Sequence, residues 1–218
     1  MSIFAPLSRA FEAGHKREIP DLMNDAHFAQ DGRATPAAVL IAITDVPHDP
    51  QVILTQRPRA MRDHPGQVAF PGGKIDPGED AVTAALREAE EELALPRDAV
   101  RVIGTSDIYH TGTGFLVTPV VGVVPPGLAL TPNPAEVEAW FEAPLAMLLD
   151  PAARSVGPLF MHQLQGAVIG APLYSRMMNR GGSALPRVTA SSAPMPSFSM
   201  CRWSSTVTES LWRLPRRR

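Results

Sequence analysis

Three carboxylates, Glu88, Glu91 and Glu92, crowd into the run Arg87-Glu88-Ala89-Glu90-Glu91-Glu92-Leu93. If that run is helical, at about 100° per residue, Glu92 lies roughly 40° to one side of Glu88 and Glu91 roughly 60° to the other, so the three share a face. Like charges so spaced repel, and a hard divalent cation between them relieves the repulsion. An all-oxygen set suits Mg²⁺ or Mn²⁺, which fill their remaining positions with water and substrate phosphate oxygens. Taken alone, such a run reads more readily as a solvated acidic face, as most Glu runs are.

The surrounding residues must hold that face in place. Pro77-Gly78 marks a turn, Glu79 and Asp80 suit the positive end of a helix dipole, and Pro96 limits the far end, which predicts one helix over residues 79 to 94. Val82, Leu86, Ala89 and Leu93 make its expected buried stripe, with the three carboxylates turned away from it. Ahead of the helix, Gly72-Gly73 lets main chain approach a ligand closely.

Gly73, five residues, Glu79, seven residues and then Arg87-Glu88-Ala89-Glu90-Glu91-Glu92-Leu93-Ala94-Leu95 resembles the Nudix box, G-x5-E-x7-R-E-U-x-E-E-x-G-U with U apolar. Ala94 departs from it, standing where a Gly would ease the turn out of the helix. The resemblance implies an α/β fold, a Nudix-type α/β/α sandwich with a mixed β-sheet. It also implies that Glu88 and Glu92 hold the metal, that Glu91 is a further ligand or a helper, and that Arg87 orients the Glu side chains. An acid outside the box, Glu136 or Glu138, would add a ligand or a general base, with surface solvation the equal alternative.

Residues 53 to 73, ILTQRPRAMRDHPGQVAFPGG, resemble the extra motif of the coenzyme A pyrophosphatase branch of the Nudix hydrolases, L-L-T-x-R-S/A-x3-R-x3-G-x3-F-P-G-G. Leu54, Thr55, Arg57, Arg62, Gly66, Phe70, Pro71, Gly72 and Gly73 fall in register, while Ile53 and Pro58 differ. Similarity to this branch extends over residues 35 to 150. It implies metal-dependent hydrolysis of the P–O–P bond of coenzyme A, or of a derivative, to 3′,5′-ADP and 4′-phosphopantetheine. Arg57 and Arg62 suit phosphate oxygens as guanidinium forks, or alternatively pair with box acids to fix the loop. With Gly72 and Gly73 they form the expected substrate-binding set. His64 reads more readily as a loop-ordering group than as a proton carrier. The rival readings are a Nudix hydrolase of another nucleoside diphosphate derivative and a remnant without turnover.

The rest of the chain supplies the frame. Residues 2 to 13 carry near-helical apolar spacing, and 19 to 28 a weaker continuation. Residues 37 to 43, 51 to 56, 67 to 70, 101 to 109, 115 to 124 and 136 to 141 read as strands, the first two forming a hairpin, with a short helix over 145 to 149. Phe115 and Trp140 are expected in the core. The organisation is an N-terminal extension over 1 to 34, a catalytic domain over 35 to 150, and an atypical tail over 151 to 218. Charge divides with it: residues 1 to 150 hold 21 acids and 11 bases, the tail one acid, Glu209, and nine Arg. The tail's scattered Pro, Ser and Arg fit a disordered extension, an out-of-frame translation or, least favoured, a nucleic-acid contact. The single Cys201 forms no intramolecular disulfide, and no secretory leader or long apolar span is seen. The expectation is a cytoplasmic protein with a small-molecule nucleotide substrate of the coenzyme A class and no membrane partner; the residues do not fix an oligomeric state, a homodimer being one option.

Overall fold

The computed structural model describes residues 1 to 16, 34 to 61, 65 to 111 and 114 to 149. The expectations for residues 19 to 28, Arg62, His64 and the tail from 151 lie outside these. The elements are α1 (Phe4–His15), β1 (Thr35–Thr44), β2 (Gln51–Gln56), β3 (Val68–Ala69), β4 (Gly72–Lys74), α2 (Ala81–Leu93), β5 (Arg101–Thr105), β6 (Tyr109–His110), β7 (Phe115–Val124), β8 (Ala139–Pro144) and α3 (Leu145–Leu149). Among the described residues no helix is long and apolar enough to cross a membrane.

The eight strands form one mixed sheet. Its spine is β1, a continuous apolar run that pairs parallel with β7 along its whole length, from Thr35 opposite Phe115 to Thr44 opposite Val124. The other edge of β1 is shared. Ile43 pairs with Val52 of β2, while Ala37, Ala38 and Val39 pair antiparallel with Lys74, Gly73 and Gly72 of β4. The expected hairpin of β1 and β2 is present, but the glycine turn is itself a strand laid on the start of β1. Gly72 is required there, because a Cβ would overlap the Ala38 carbonyl and the Val39 backbone.

Side chains alternate across β1 and build two cores. Ile41 and Ile43 join Leu7 and Phe11 of α1 and Leu145 and Leu148 of α3 on one face. Ala38, Leu40 and Ala42 meet Ala84, Ala85, Ala89 and Leu93 of α2 on the other. Helices therefore cover both faces, which is the layered sandwich expected. The small residues facing each other across the second layer bring α2 close to the sheet, and that closeness decides where its carboxylates lie.

Three expectations are corrected. The strand expected over 101 to 109 is two strands: from Thr105, opposite Val120, to Tyr109, opposite Val117, the chain takes four steps while β7 takes three. The break faces Pro119, whose carbonyl accepts from Ser106 N–H at 2.8 Å but which has no N–H to return. The strand expected from 136 begins at Ala139, because Asn133 first draws the backbone into a turn, its carbonyl accepting from Glu136 and Val137 N–H. The third correction concerns α2. Its buried residues are Ala84, Ala85, Ala89, Glu92 and Leu93, while Val82 and Leu86 are only partly covered. The buried face is thus rotated toward Glu88 and Glu92, and the three carboxylates do not share a side turned away from the core.

Candidate metal centre

The start of α2 is fixed by Asp80, whose Oδ1 accepts from Thr83 N–H at 2.8 Å, so the helix opens two residues later than the spacing predicts. Glu79 lies just outside the helix and reaches forward to Arg87. Arg87 Nε donates to Glu79 Oε1 and Nη2 to Glu79 Oε2, both at 3.0 Å, a bidentate pair. The same guanidinium donates through Nη1 to Glu88 Oε1 at 2.9 Å and Glu91 Oε2 at 3.2 Å, and through Nη2 to the Lys74 carbonyl at 3.0 Å. Arg87 is the hub that ties the glycine turn to the helix. Its hydrogen bond to Glu79 holds that carboxyl below the usual carboxylate range.

Glu88 sits against β4, where Gly73 has no side chain; a Cβ there would overlap the Glu88 carboxyl. Burial raises the Glu88 pKa, against the pull of Arg87. Glu92, one turn on, is 6% exposed. Its Oε2 is buried with no hydrogen-bond partner among the described residues. Burial first and the neighbouring charge of Glu88 next push its pKa up to about 8, with a Gly72 backbone hydrogen bond and the charge of Arg57 acting the other way.

The third member comes from a loop the helix itself anchors. Thr131 and Asn133 donate their N–H groups to the Leu93 and Glu92 carbonyls, both at 2.8 Å, satisfying carbonyls left open at the end of α2. The loop then presents Glu136 to the helix. One carboxylate oxygen each from Glu88, Glu92 and Glu136 lie within 4.8 Å of one another.

Three carboxyls with oxygens this close, one of them buried and carrying an oxygen with no hydrogen-bond partner among the described residues, form a set that suits a divalent cation and gains nothing from being left without one. The residues present fit Mg²⁺ or Mn²⁺.

The remaining site residues separate. Glu138 does not join the trio: its Oε2 accepts from Arg59 N–H at 2.9 Å. Glu91 lies on the exposed margin, its side chain 52% accessible and bonded to Arg87. Arg57 Nε is buried with no hydrogen-bond partner among the described residues, and its charge reaches Glu92. Gly72 and Gly73 act here through close packing. Phe115 and Trp140 pack against core clusters as partly buried residues. Sequence reasoning missed the part played by Asn133 and Thr131; an Asn between two prolines after a Gly-containing turn was the only signal of a structured loop.

With this geometry in hand, comparison with known proteins places the chain among relatives. The family described as NUDIX domain matches residues 34–163. The chain is 50% identical over 114 residues to an uncharacterized Nudix hydrolase, NudL, of Photorhabdus laumondii, covering 52% of this chain and 60% of the relative. It is 53% identical over 114 residues to the protein of the same description from Escherichia coli K12, covering 52% and 59%. The match thus spans about three-fifths of the length of these curated relatives. Among solved structures, a Nudix hydrolase from M. smegmatis, RenU, aligns at 24% identity and a TM-score of 0.47, covering 60% of this chain and 83% of that one. A C. elegans Ap4A hydrolase binary complex aligns at 20% identity and a TM-score of 0.46, covering 61% and 94%.

Proposed function

Because the chain belongs to the Nudix domain family, we propose that it hydrolyses the diphosphate bond of a nucleoside diphosphate derivative, and that the derivative is coenzyme A or one of its thioesters. The observation that carries the first part is the convergence of Glu88, Glu92 and Glu136 with an orphaned, buried oxygen on Glu92. The second part rests on the motif over residues 53 to 73, which sets arginines just ahead of the acidic cluster.

Glu88, Glu92 and Glu136 would hold Mg²⁺ or Mn²⁺. Such an ion supplies neutralisation of diphosphate charge and a water of lowered pKa. Arg87 does not touch substrate; it fixes Glu88 and Glu91 in the rotamers the site needs. Arg57, a partly buried cation whose charge reaches Glu92, draws the diphosphate in and shares its charge, and Arg62 takes the same part by its place in the motif. Glu136, carried on the anchored loop, or Glu92 accepts the proton of the attacking water. Glu91 is a further ligand or Arg87's partner. Water adds across P–O–P, so each product leaves as a phosphate monoester: 3′,5′-ADP and 4′-phosphopantetheine when coenzyme A is the substrate.

Incubation of the purified chain with coenzyme A, NADH and ADP-ribose, each with Mg²⁺ or Mn²⁺, followed by identification of the products, tests the reading. Release of 3′,5′-ADP from coenzyme A in preference to cleavage of the other two supports it. Preferential cleavage of NADH or ADP-ribose removes the coenzyme A assignment and keeps the chemistry; no cleavage of any removes both.

A further inference from the structure

Glu138 was a candidate for chemistry by residue type, and its geometry gives it other work. Its main-chain N–H donates to the Gln56 carbonyl at 2.8 Å, continuing the pairing of β8 with β2 in which Ala139 faces Gln56. Its side-chain Oε2 accepts from Arg59 N–H at 2.9 Å. That amide lies in a turn closed by Met61 N–H donating to the Pro58 carbonyl at 3.1 Å, so without Glu138 it would have no acceptor from the turn itself. One residue therefore grips the segment at both ends, and Arg57 and Pro58 are held between the two grips. Arg57 N–H in turn donates to the Gln67 carbonyl at 2.9 Å, while its Nε is buried with no hydrogen-bond partner among the described residues. Two positions before Glu138 stands Glu136, a member of the acidic trio.

We propose that Glu138 is a positioning residue that locks the arginine-bearing turn to the loop carrying Glu136, so that the cation site and the anion-binding Arg57 are set at a fixed separation. The inference rests on the diphosphate-hydrolysis reading above, since Arg57 matters only if an anion is drawn to it. Glu138 touches neither the substrate nor the cation. Its charge is engaged with a main-chain amide, which a neutral amide oxygen can accept from nearly as well, whereas a methyl group cannot.

The test is steady-state kinetics on Glu138→Ala, Glu138→Gln, Arg57→Ala and the double variant Glu138→Ala/Arg57→Ala, with whichever diphosphate derivative the wild-type chain cleaves. Calorimetric titration of each with inorganic pyrophosphate and Mn²⁺ runs alongside. Glu138→Ala should raise KM and weaken pyrophosphate binding about three- to tenfold, the size of one lost hydrogen bond at an exposed position, with kcat nearly unchanged. Glu138→Gln should restore most of that loss, and in the Arg57→Ala background Glu138→Ala should add nothing. A fall in kcat at constant KM would put Glu138 in the chemistry and overturn the proposal. Fully additive losses, or a Gln variant as poor as Ala, would overturn it too. If the wild-type chain turns over none of the diphosphates, the functional reading falls and pyrophosphate binding alone decides Glu138. Weakened binding in Glu138→Ala then supports the grip; unchanged binding, or none by the wild-type chain, removes it.

Discussion

Around helix α2 gather two groups of carboxylates of the same chemistry and opposite electrostatics. On its solvent side Glu79, Glu88 Oε1 and Glu91 each meet the Arg87 guanidinium, and the Glu79 carboxyl is held below its ordinary range by that hydrogen bond. On its sheet side one oxygen each of Glu92, Glu88 and, from the loop, Glu136 lie within 4.8 Å of one another; among the described residues no guanidinium bonds Glu92 or Glu136, and Glu92 is raised to about 8. The first group stabilises the fold as it stands. The second burdens it, because buried like charges oppose folding until something neutral or cationic replaces the missing partner. Packing, not charge, keeps the second group together: Ala85 and Ala89 seat the helix close to β1, and Gly73 clears room for Glu88. Carboxylates kept together against their own repulsion are what a bound cation would relieve.

The largest effect should therefore come from the unpaired side. Glu92→Gln keeps the volume and removes the charge, and is expected to lower turnover at least about a hundredfold at saturating Mg²⁺ while the thermal melt shows a folded chain. Glu91→Gln, changing a half-exposed group that shares Arg87 with two others, should lose less, on the order of tenfold. Measuring kcat for both against Mg²⁺ concentration checks the contrast. Equal losses would break it and make Glu91 a full member of the cation site.

A smaller effect separates the groups without any substrate. Glu92 titrates near 8 in the folded chain against an ordinary value of 4.5. Between those values the folded state keeps a proton that the unfolded state has lost. Its contribution to stability is therefore fully present below the unfolded pKa and is lost as pH rises through the folded one. The slope is at most about 1.4 kcal/mol per pH unit. Glu79, shifted the other way, adds stability above its ordinary range and does not produce this decline. Urea unfolding of the metal-free chain should show a midpoint that falls from pH 5 to pH 8. Saturating Mg²⁺ should flatten the profile, and Glu92→Gln should make it shallower, leaving the decline due to Glu88, whose pKa burial also raises. A flat profile in the untreated chain would mean that Glu92 is not the burden described.

Much of this was legible in the residues. The spacing from Gly73 to Glu92 located the acidic cluster, and the apolar runs at 37 to 43 and 115 to 124 located the spine of the sheet. Less visible was which way the helix faces. Val82 and Leu86 outweigh Ala84 and Ala85 in hydrophobicity, so periodicity aimed the buried stripe wrongly; small residues win the face because the sheet opposite offers Ala38 and Ala42 and permits close contact. The strand at Gly72–Lys74 has no side-chain pattern from which to be read. Glu136 and Glu138 could not be told apart because they lie on a loop whose path is set by main-chain bonds to the end of α2, and residue type carries no trace of those. The box implied Arg87 as an orienting group, and its guanidinium donates to Glu79, Glu88 and Glu91.

The smallest effect concerns the helix end that holds this loop. Ala94 takes φ of 53°, the one non-glycine residue with positive φ among those described. Its N–H returns to the Glu90 carbonyl at 2.8 Å, and the next residue, Leu95, is fully buried. The chain is thus bent into a left-handed exit that Ala adopts at a cost of about 1 kcal/mol or more, and that glycine adopts freely. Glycine loses part of that gain through its greater freedom when unfolded. Ala94→Gly should consequently raise stability by roughly 0.5 to 1 kcal/mol in urea unfolding. Turnover should stay as it was, because the Leu93 and Glu92 carbonyls are already fixed by Thr131 and Asn133 and the position of Glu136 does not depend on relaxing the bend. A change in kcat with the melt unmoved would instead tie the strained exit to the spacing of the acidic trio, making the backbone at Ala94 part of the site.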